Sequence, residues 1–463
     1  MTGHAGEHDT AGPDVVDAVV VGMGPGGEEV AGKLAEAGLA VVGVEAALLG
    51  GECPYWGCIP SKMMVRAAHL LAEARRIPGM AGSVSVTPDW APVAARIRDE
   101  ATDGWDDTVA VERFEGKGGR FVRGRGRMTA PDTVTVDGRS FRATRAIVLA
   151  TGTTPAIPPI DGLAGTPYWT NHDAIEAEEL PRSIVVLGGG AIGAELSQVF
   201  ARFGVEVTIV EAASRLLPPE EPEAGRLLAE VFEREGITVV TGSAAEHVDH
   251  DEKGFAVRLS DGRVVHGERL LVATGRRVDL AAIGADVFGI TADARALPVD
   301  DRLRVADHVW AVGDITGKGA FTHVAMYQAA IVVADILDRP HAPATYHAVP
   351  RVTFTDPEVG SVGMSVEAAT AAGIDIIIGR TEVPSTARGW LHKAGNEGFI
   401  ALVGDRASGV LVGATAMGPN GGEVLGLLAL AVHAEVPIEQ LRTMIYAYPT
   451  FHRGVEDALR SML

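Results

Sequence analysis

This chain has few cysteines and few cations. Only Cys53 and Cys58 occur among 463 residues, which excludes a four-cysteine zinc site and a disulfide scaffold of the small secreted kind. Lys and Arg number 40 against 61 Asp and Glu, a formal charge of −21. That shortage of positive charge speaks against nucleic acid or an anionic membrane surface as a partner. No apolar run reaches the roughly 18 residues that a membrane-spanning helix needs. The first fourteen residues are polar and lack a basic start, so a disordered tail at 1–14 and a cytoplasmic protein are expected. The hydrophobic share of 47% is ample for the buried cores of several domains.

The chain carries the same nucleotide-binding pattern twice. Residues 17–21 are a short apolar run of the kind that forms a parallel strand buried on both faces, and they lead into Gly22-Met23-Gly24-Pro25-Gly26-Gly27. Gly22 allows a tight turn, Gly24 lets backbone approach a pyrophosphate, and Gly27 lets helix pack on strand. A helix is expected over 28–37 and a second strand over 40–44, ending in Glu45, whose carboxylate suits an adenosine ribose. The unit recurs over 184–211, with Gly188, Gly190 and Gly193 as its glycines and Glu211 as its terminal acid. Two dinucleotides are therefore expected on one polypeptide.

Cys53 and Cys58 follow the first unit within Gly50-Gly51-Glu52-Cys53-Pro54-Tyr55-Trp56-Gly57-Cys58-Ile59-Pro60-Ser61-Lys62. Residues five apart in an ideal helix lie ~7.5 Å apart along its axis, whereas a disulfide needs Cα atoms roughly 4.4–6.8 Å apart. The backbone between them cannot be regular helix, and Pro54 and Gly57 supply the irregularity. A helix is expected to resume near Pro60 and run through 63–74, which puts Cys58 near a positive dipole end that favours a thiolate. The placement reads as a redox-active disulfide working against a flavin. The first site is then assigned FAD and the second a nicotinamide nucleotide. Glu211 would bond a free 2′-hydroxyl and repel a 2′-phosphate, so NADH is favoured, with NADPH the alternative because Arg215 lies nearby.

Two further apolar strands, 147–149 and 270–272, each end in Ala-Thr-Gly, as Ala150-Thr151-Gly152 and Ala273-Thr274-Gly275, one before and one after the second unit. They read as crossings between domains. A later strand ends in Gly313-Asp314, where the aspartate suits the polyol hydroxyls of a flavin. Beyond Tyr346, strands at 351–355, 374–378, 398–403 and 410–417 and helices at 421–433 and 438–445 indicate a separate α+β domain.

In this order the motifs resemble the class I pyridine nucleotide-disulfide oxidoreductases, the family of dihydrolipoyl dehydrogenase, glutathione reductase and mercuric reductase. The similarity covers roughly 16–460 and includes Phe354-Thr355-Asp356-Pro357-Glu358-Val359-Gly360. It implies an α/β fold with two Rossmann-like dinucleotide-binding domains, for FAD and NAD, plus a C-terminal α+β dimerisation domain. The implied divisions are 15–152 and 276–345 for FAD, 153–275 for the nicotinamide nucleotide, and 346–463 for a homodimer interface that completes the partner's active site. By the resemblance, Cys58 is the sulfur next to the flavin and Cys53 the interchange thiol that meets substrate. Lys62 is the lysine near the flavin ring and Glu195 its carboxylate partner. Gly51, Thr151, Gly152, Gly275, Gly313, Asp314 and His323 fall among the cofactor-binding positions.

The departures bear on the acceptor. Where disulfide-reducing relatives have a His-Pro-Thr with a glutamate five residues after the histidine, this chain has Tyr448-Pro449-Thr450-Phe451-His452-Arg453. A phenol is a poor base at neutral pH where an imidazole is a good one, so conventional dithiol exchange is expected to be slow. Tyr448 then serves as a hydrogen-bond or proton donor, or else as an interface aromatic, and His452 is a candidate stand-in base. The chain as given ends Arg460-Ser461-Met462-Leu463, without the cysteine pair of mercuric reductases, and efficient mercury reduction is not expected. Tyr55 and Trp56, beside the disulfide, offer a stacking surface to a flat acceptor or serve as packing. The leading expectation is electron flow from nicotinamide nucleotide to FAD to disulfide to an unidentified small-molecule acceptor. The alternatives are a flavin-only quinone or small-aromatic reductase, a transhydrogenase, and a non-catalytic redox sensor.

Overall fold

A computed structural model describes residues 12–462. Most of the tail expected at 1–14 lies outside the described residues, and the first strand, Asp14–Val21, already begins within that range. The chain divides into two compact units. One comprises the residues up to Tyr55 with 103–154 and 277–344; the other comprises 56–102, 155–276 and everything from Thr345 onward. The helix after Cys58 thus groups with the second nucleotide unit, although the sequence placed it with the first.

The first unit is built on a sheet in the spatial order Arg304–Ala306, Val309–Ala311, Arg139–Leu149, Asp14–Val21, Val41–Glu45 and Arg120–Arg123. Its central pairs are parallel, with Ala18 opposite Val41 and Ala146. Ala18, Val19 and Val20 are fully buried, as an apolar run covered on both sheet faces requires. On one face the helices Pro25–Glu36 and Thr322–Ile336 pack closely, and a Cβ on Gly26 would stand only 3.1 Å from the Ala325 Cβ.

The second unit holds a parallel sheet in the order Thr238–Thr241, Glu206–Glu211, Ser183–Leu187, Arg269–Val272. It also holds an antiparallel ribbon of Ala245–Asp251, Gly254–Leu259 and Val264–Gly267. Its C-terminal part is a five-stranded antiparallel sheet ordered Pro350–Thr353, Glu358–Gly363, Leu411–Gly418, Phe399–Asp405, Ile376–Glu382. The helices Gly421–His433 and Gly454–Ser461 cover that sheet through Leu425, Leu428, Val455 and Leu459. This is the α/β architecture with two nucleotide folds and a terminal α+β domain. The helix expected to run to 445 stops at Thr443, where Met444 turns extended with ψ 145°. No helix among the described residues is long and apolar enough to cross a membrane.

Candidate active site

The two glycine patterns fold into matching cradles. Gly22 has φ +92° and Gly188 φ +106°, and a Cβ on either would lie 2.4 Å from a carbonyl oxygen, of Ala150 and of Ala273 respectively. Those alanines open the two Ala-Thr-Gly segments, so each crossing strand seats against the first glycine of a cradle. A Cβ on Gly27 would meet the Gly22 oxygen at 1.9 Å, and one on Gly193 the Gly188 oxygen at 2.0 Å, so only glycine lets helix and strand approach this far. At the middle positions nothing stands within 4 Å of a Cβ built on Gly24 or Gly190. Each of these two residues caps a twelve-residue helix without a side-chain cap bond. An uncapped helix start clear of side chains suits a pyrophosphate, so the residues present fit both a flavin dinucleotide and a nicotinamide dinucleotide.

The terminal acids are held alike. Glu45 accepts the Met23 amide at 2.8 Å and the Ala47 amide at 2.8 Å. Glu211 accepts the Gly189 amide at 2.6 Å and the Ala213 amide at 2.7 Å. In both cradles a donor just after the first glycine fixes the carboxylate at the edge where a ribose would lie. Arg215 is turned to the Pro218 carbonyl at 3.0 Å and to Glu367 at 3.3 Å.

Cys53 lies half-buried in the short helix Glu52–Tyr55. Gly51, just before that helix, has φ +67°, and a Cβ on it would stand 2.7 Å from the Gly24 Cα. The helix therefore starts against the first cradle. Cys58 is exposed and is the first residue of the helix Cys58–Arg76, entered through Gly57 at φ −130° and ψ −115°. The helix begins two residues before Pro60, which occupies its first turn, where a missing amide costs nothing. One turn on, Lys62 Nζ donates to Glu195 Oε2 at 2.6 Å, and Glu195 Oε1 accepts the Phe354 amide at 2.8 Å. The Glu195 side chain is 6% exposed, and a carboxylate so buried needs both partners. Lys62 Nζ also stands 4.7 Å from the centre of the Phe354 ring.

The remaining expected site residues are distributed as follows. Asp314 accepts the Thr153 hydroxyl at 2.7 Å, and Gly313, at φ +82°, donates its amide to Gln328 at 2.6 Å. Gly152 and Gly275 both have positive φ, +62° and +121°, and Thr151 between Ala150 and Gly152 is exposed. His323 stacks on Phe321 at 5.1 Å at the start of the helix Thr322–Ile336. Tyr448 is 68% exposed, and the Arg453 guanidinium lies 5.3 Å from the centre of its ring. His452 turns elsewhere, with Nε2 3.3 Å from the Thr450 hydroxyl and its ring 6.4 Å from that of Tyr446.

Of the two loop aromatics, Tyr55 is buried at 6% exposure, a packing residue whose phenol burial pushes above its usual range. Trp56 is stacked face to face on His172, 4.4 Å apart at 1°. Its indole donates to Glu176 at 2.6 Å, and its carbonyl accepts from Asn171 at 2.8 Å. Sequence reasoning missed Asn171, His172 and Glu176, because nothing local marks the start of a helix that far away as a partner of the redox loop. It also missed Gln198, Arg202 and Asp356. Here a signal existed, since Gln198 and Arg202 share a helix face with Glu195 at spacings of three and seven.

Comparison with known proteins gives concordant matches. The family model for pyridine nucleotide-disulphide oxidoreductases matches residues 16–329, and the model of their dimerisation domain matches 349–459. A dihydrolipoyl dehydrogenase of Chlorobaculum tepidum is 34% identical, over 96% of this chain and 97% of its own. A mercuric reductase of Shigella flexneri is 32% identical, over 98% of this chain and 82% of its own. Among solved structures, the HOCl-induced flavoprotein disulfide reductase RclA of Escherichia coli, as its Cu(II) complex, aligns with TM-score 0.84 at 26% identity. That alignment covers 96% of this chain and 99% of RclA.

Proposed function

The chain belongs to the pyridine nucleotide-disulphide oxidoreductases, FAD-dependent enzymes that use NAD(P)H, and on that premise we propose that Cys53 and Cys58 form its redox pair and that NADH is its reductant. The first cradle takes FAD and the second the nicotinamide nucleotide. The observation that supports this most directly is the seating of Gly51 on Gly24, which starts the Cys53 helix at the first cradle.

When bound, the nicotinamide supplies hydride and the flavin relays an electron pair toward sulfur. The protein's own groups do the rest. At the first position of its helix, Cys58 stands at a positive dipole end, which favours its thiolate. The buried Glu195 keeps the Lys62 ammonium in place. Cys53 delivers the electrons, and reoxidation of the pair to a disulfide releases two electrons and two protons to the acceptor. Glu211, fixed by two amides, selects a ribose with a free 2′-hydroxyl, and Arg215 is engaged with Glu367 and Pro218.

The acceptor is a small molecule that does not depend on an imidazole base, because Tyr448 and Arg453 stand where an imidazole and a carboxylate would serve dithiol exchange. The same pair favours a second reading, in which a quinone or small aromatic takes electrons from the flavin without sulfur. We place the enzyme in the cytoplasm, where thiols are kept reduced, as a homodimer. The dimerisation-domain match supports the dimer, as do the exposed apolar side chains of Leu430, Ile445 and Trp390, at 60%, 96% and 70%. Replacing Cys53 with serine separates the two readings. Loss of acceptor turnover with flavin reduction by NADH retained supports the sulfur route, and undiminished turnover eliminates it.

A further inference from the structure

Glu195 is the first of three residues, at spacings of three and seven, that line one face of the helix Ala191–Arg202 and hold the segment Phe354-Thr355-Asp356. Glu195 takes the Phe354 amide. Gln198 takes both backbone groups of Asp356, its Oε1 accepting the N–H at 2.8 Å and its Nε2 donating to the carbonyl at 2.8 Å. Arg202 donates to the Asp356 carboxylate at 2.8 Å and to Glu235 at 2.6 and 2.9 Å. From the helix that carries Lys62, Arg76 reaches the same Asp356 oxygen at 2.7 Å. Gln198 and Arg202 are each 2% exposed. Buried polar groups bonded at this density fix a backbone in one geometry, since any shift strands several of them at once.

That clamped segment carries two features that bear on one ammonium. The Phe354 amide binds the carboxylate that pairs with Lys62, and the Phe354 ring lies 4.7 Å from Lys62 Nζ. A cation near an aromatic face and a carboxylate at once is held in position as well as in charge state. Lys62 itself is 36% exposed at its side chain, so without these two contacts its four-carbon stem has other rotamers to adopt.

We propose that Phe354 and Gln198 are positioning residues for Lys62, the ring holding the ammonium directly and Gln198 fixing the segment that presents the ring, so that together they set the reduction potential of the bound flavin. This rests on the reading of Lys62 as the cation beside the flavin. A purely structural anchor for the terminal domain makes a different forecast, because it ties Phe354 and Gln198 to folding and leaves the potential unmoved.

The test is the midpoint potential of the bound flavin in the full-length holoenzyme, measured anaerobically against a reference dye, together with the Kd for NADH. Lys62→Met should move the potential to more negative values. Phe354→Leu should move it the same way by a smaller amount, a change of about two- to fivefold in the flavin reduction equilibrium. Phe354→Tyr, which keeps the ring, should restore it, and Gln198→Leu should follow Phe354→Leu. The Kd for NADH should stay unchanged throughout. If Lys62→Met shifts the potential and Phe354→Leu does not, the positioning role is overturned and the reading of Lys62 stands. If Lys62→Met leaves the potential unmoved, that reading falls and the positioning role falls with it.

Discussion

The Arg453 guanidinium stands over the ring of Tyr448, 5.3 Å from its centre. A cation on the face of an aromatic ring is attracted to it and steadies the ring. Arg453 is itself held by Glu456 at 2.7 Å, so the pair is an organised unit. It offers hydrogen-bond donors and carries no imidazole. The double variant Tyr448→His, Arg453→Glu should gain turnover with small dithiols or disulfides by on the order of tenfold to a hundredfold, rising with pH through the imidazole range. Steady-state rates from pH 5 to 9 check this, and a flat response counts against a base-deficient site.

The open middle glycines separate binding from folding. Gly190→Val adds a side chain where nothing stands within 4 Å, whereas Gly193→Ala forces a methyl to 2.0 Å from the Gly188 oxygen. The first variant should keep its thermal midpoint and its FAD and lose NADH affinity by tenfold or more, on the order of one hydrogen-bonded phosphate contact. The second should lose stability by about 1 to 3 kcal/mol. Calorimetry and a binding titration on the two proteins check both halves.

Nucleotide choice rests on Glu211. Replacing it with alanine removes the acceptor that the Gly189 and Ala213 amides orient and the charge that repels a 2′-phosphate. Glu211→Ala should reduce the NADH to NADPH preference in kcat/KM by about tenfold. Steady-state assays with both nucleotides check it, and an unchanged ratio would place the selectivity elsewhere.

Acid should strike the first unit at Asp335. Burial raises this carboxyl, but Arg304, Trp310 and His341 bond it and bring it down from 3.8 to about 2. A lowered carboxyl contributes stability that is fully present above its unfolded value near 3.8 and lost as pH falls through about 2. Asp335→Asn should therefore cost about 1 to 2 kcal/mol at pH 7, with the difference from the parent protein shrinking between pH 4 and pH 2. Denaturation midpoints at pH 7, 4 and 2.5 check the sign.

What was legible in the sequence was local and periodic. The apolar runs before Gly22 and Gly188 are strands because an uninterrupted Val-rich stretch is stable only when covered on both faces, and the helix expected at 421–433 spans Gly421–His433. Less legible was the strand expected at 374–378, which runs over Ile376–Glu382. Its polar half, Arg380-Thr381-Glu382, is strand because Phe399–Asp405 pairs with it, and pairing between distant segments leaves no periodic trace. The same holds for the Trp56 stack on His172, whose partners come from separate parts of the chain, whereas the clamp on Asp356 left a helical spacing in Glu195, Gln198 and Arg202 but no sign of what it grips. The glycines and acids of both cradles could be named in advance because each acts within one strand, turn and helix. The family resemblance supplied Glu195 as the partner of Lys62, but Phe354 and the partners of Trp56 could not be named.

The most direct test of the central claim is an anaerobic titration of the purified holoenzyme with NADH, counting equivalents consumed per bound flavin. A sulfur pair working with the flavin predicts two equivalents for the parent protein and one for Cys53→Ser, since the disulfide is itself a two-electron couple. One equivalent in both proteins would show that Cys53 and Cys58 take no part in the electron path.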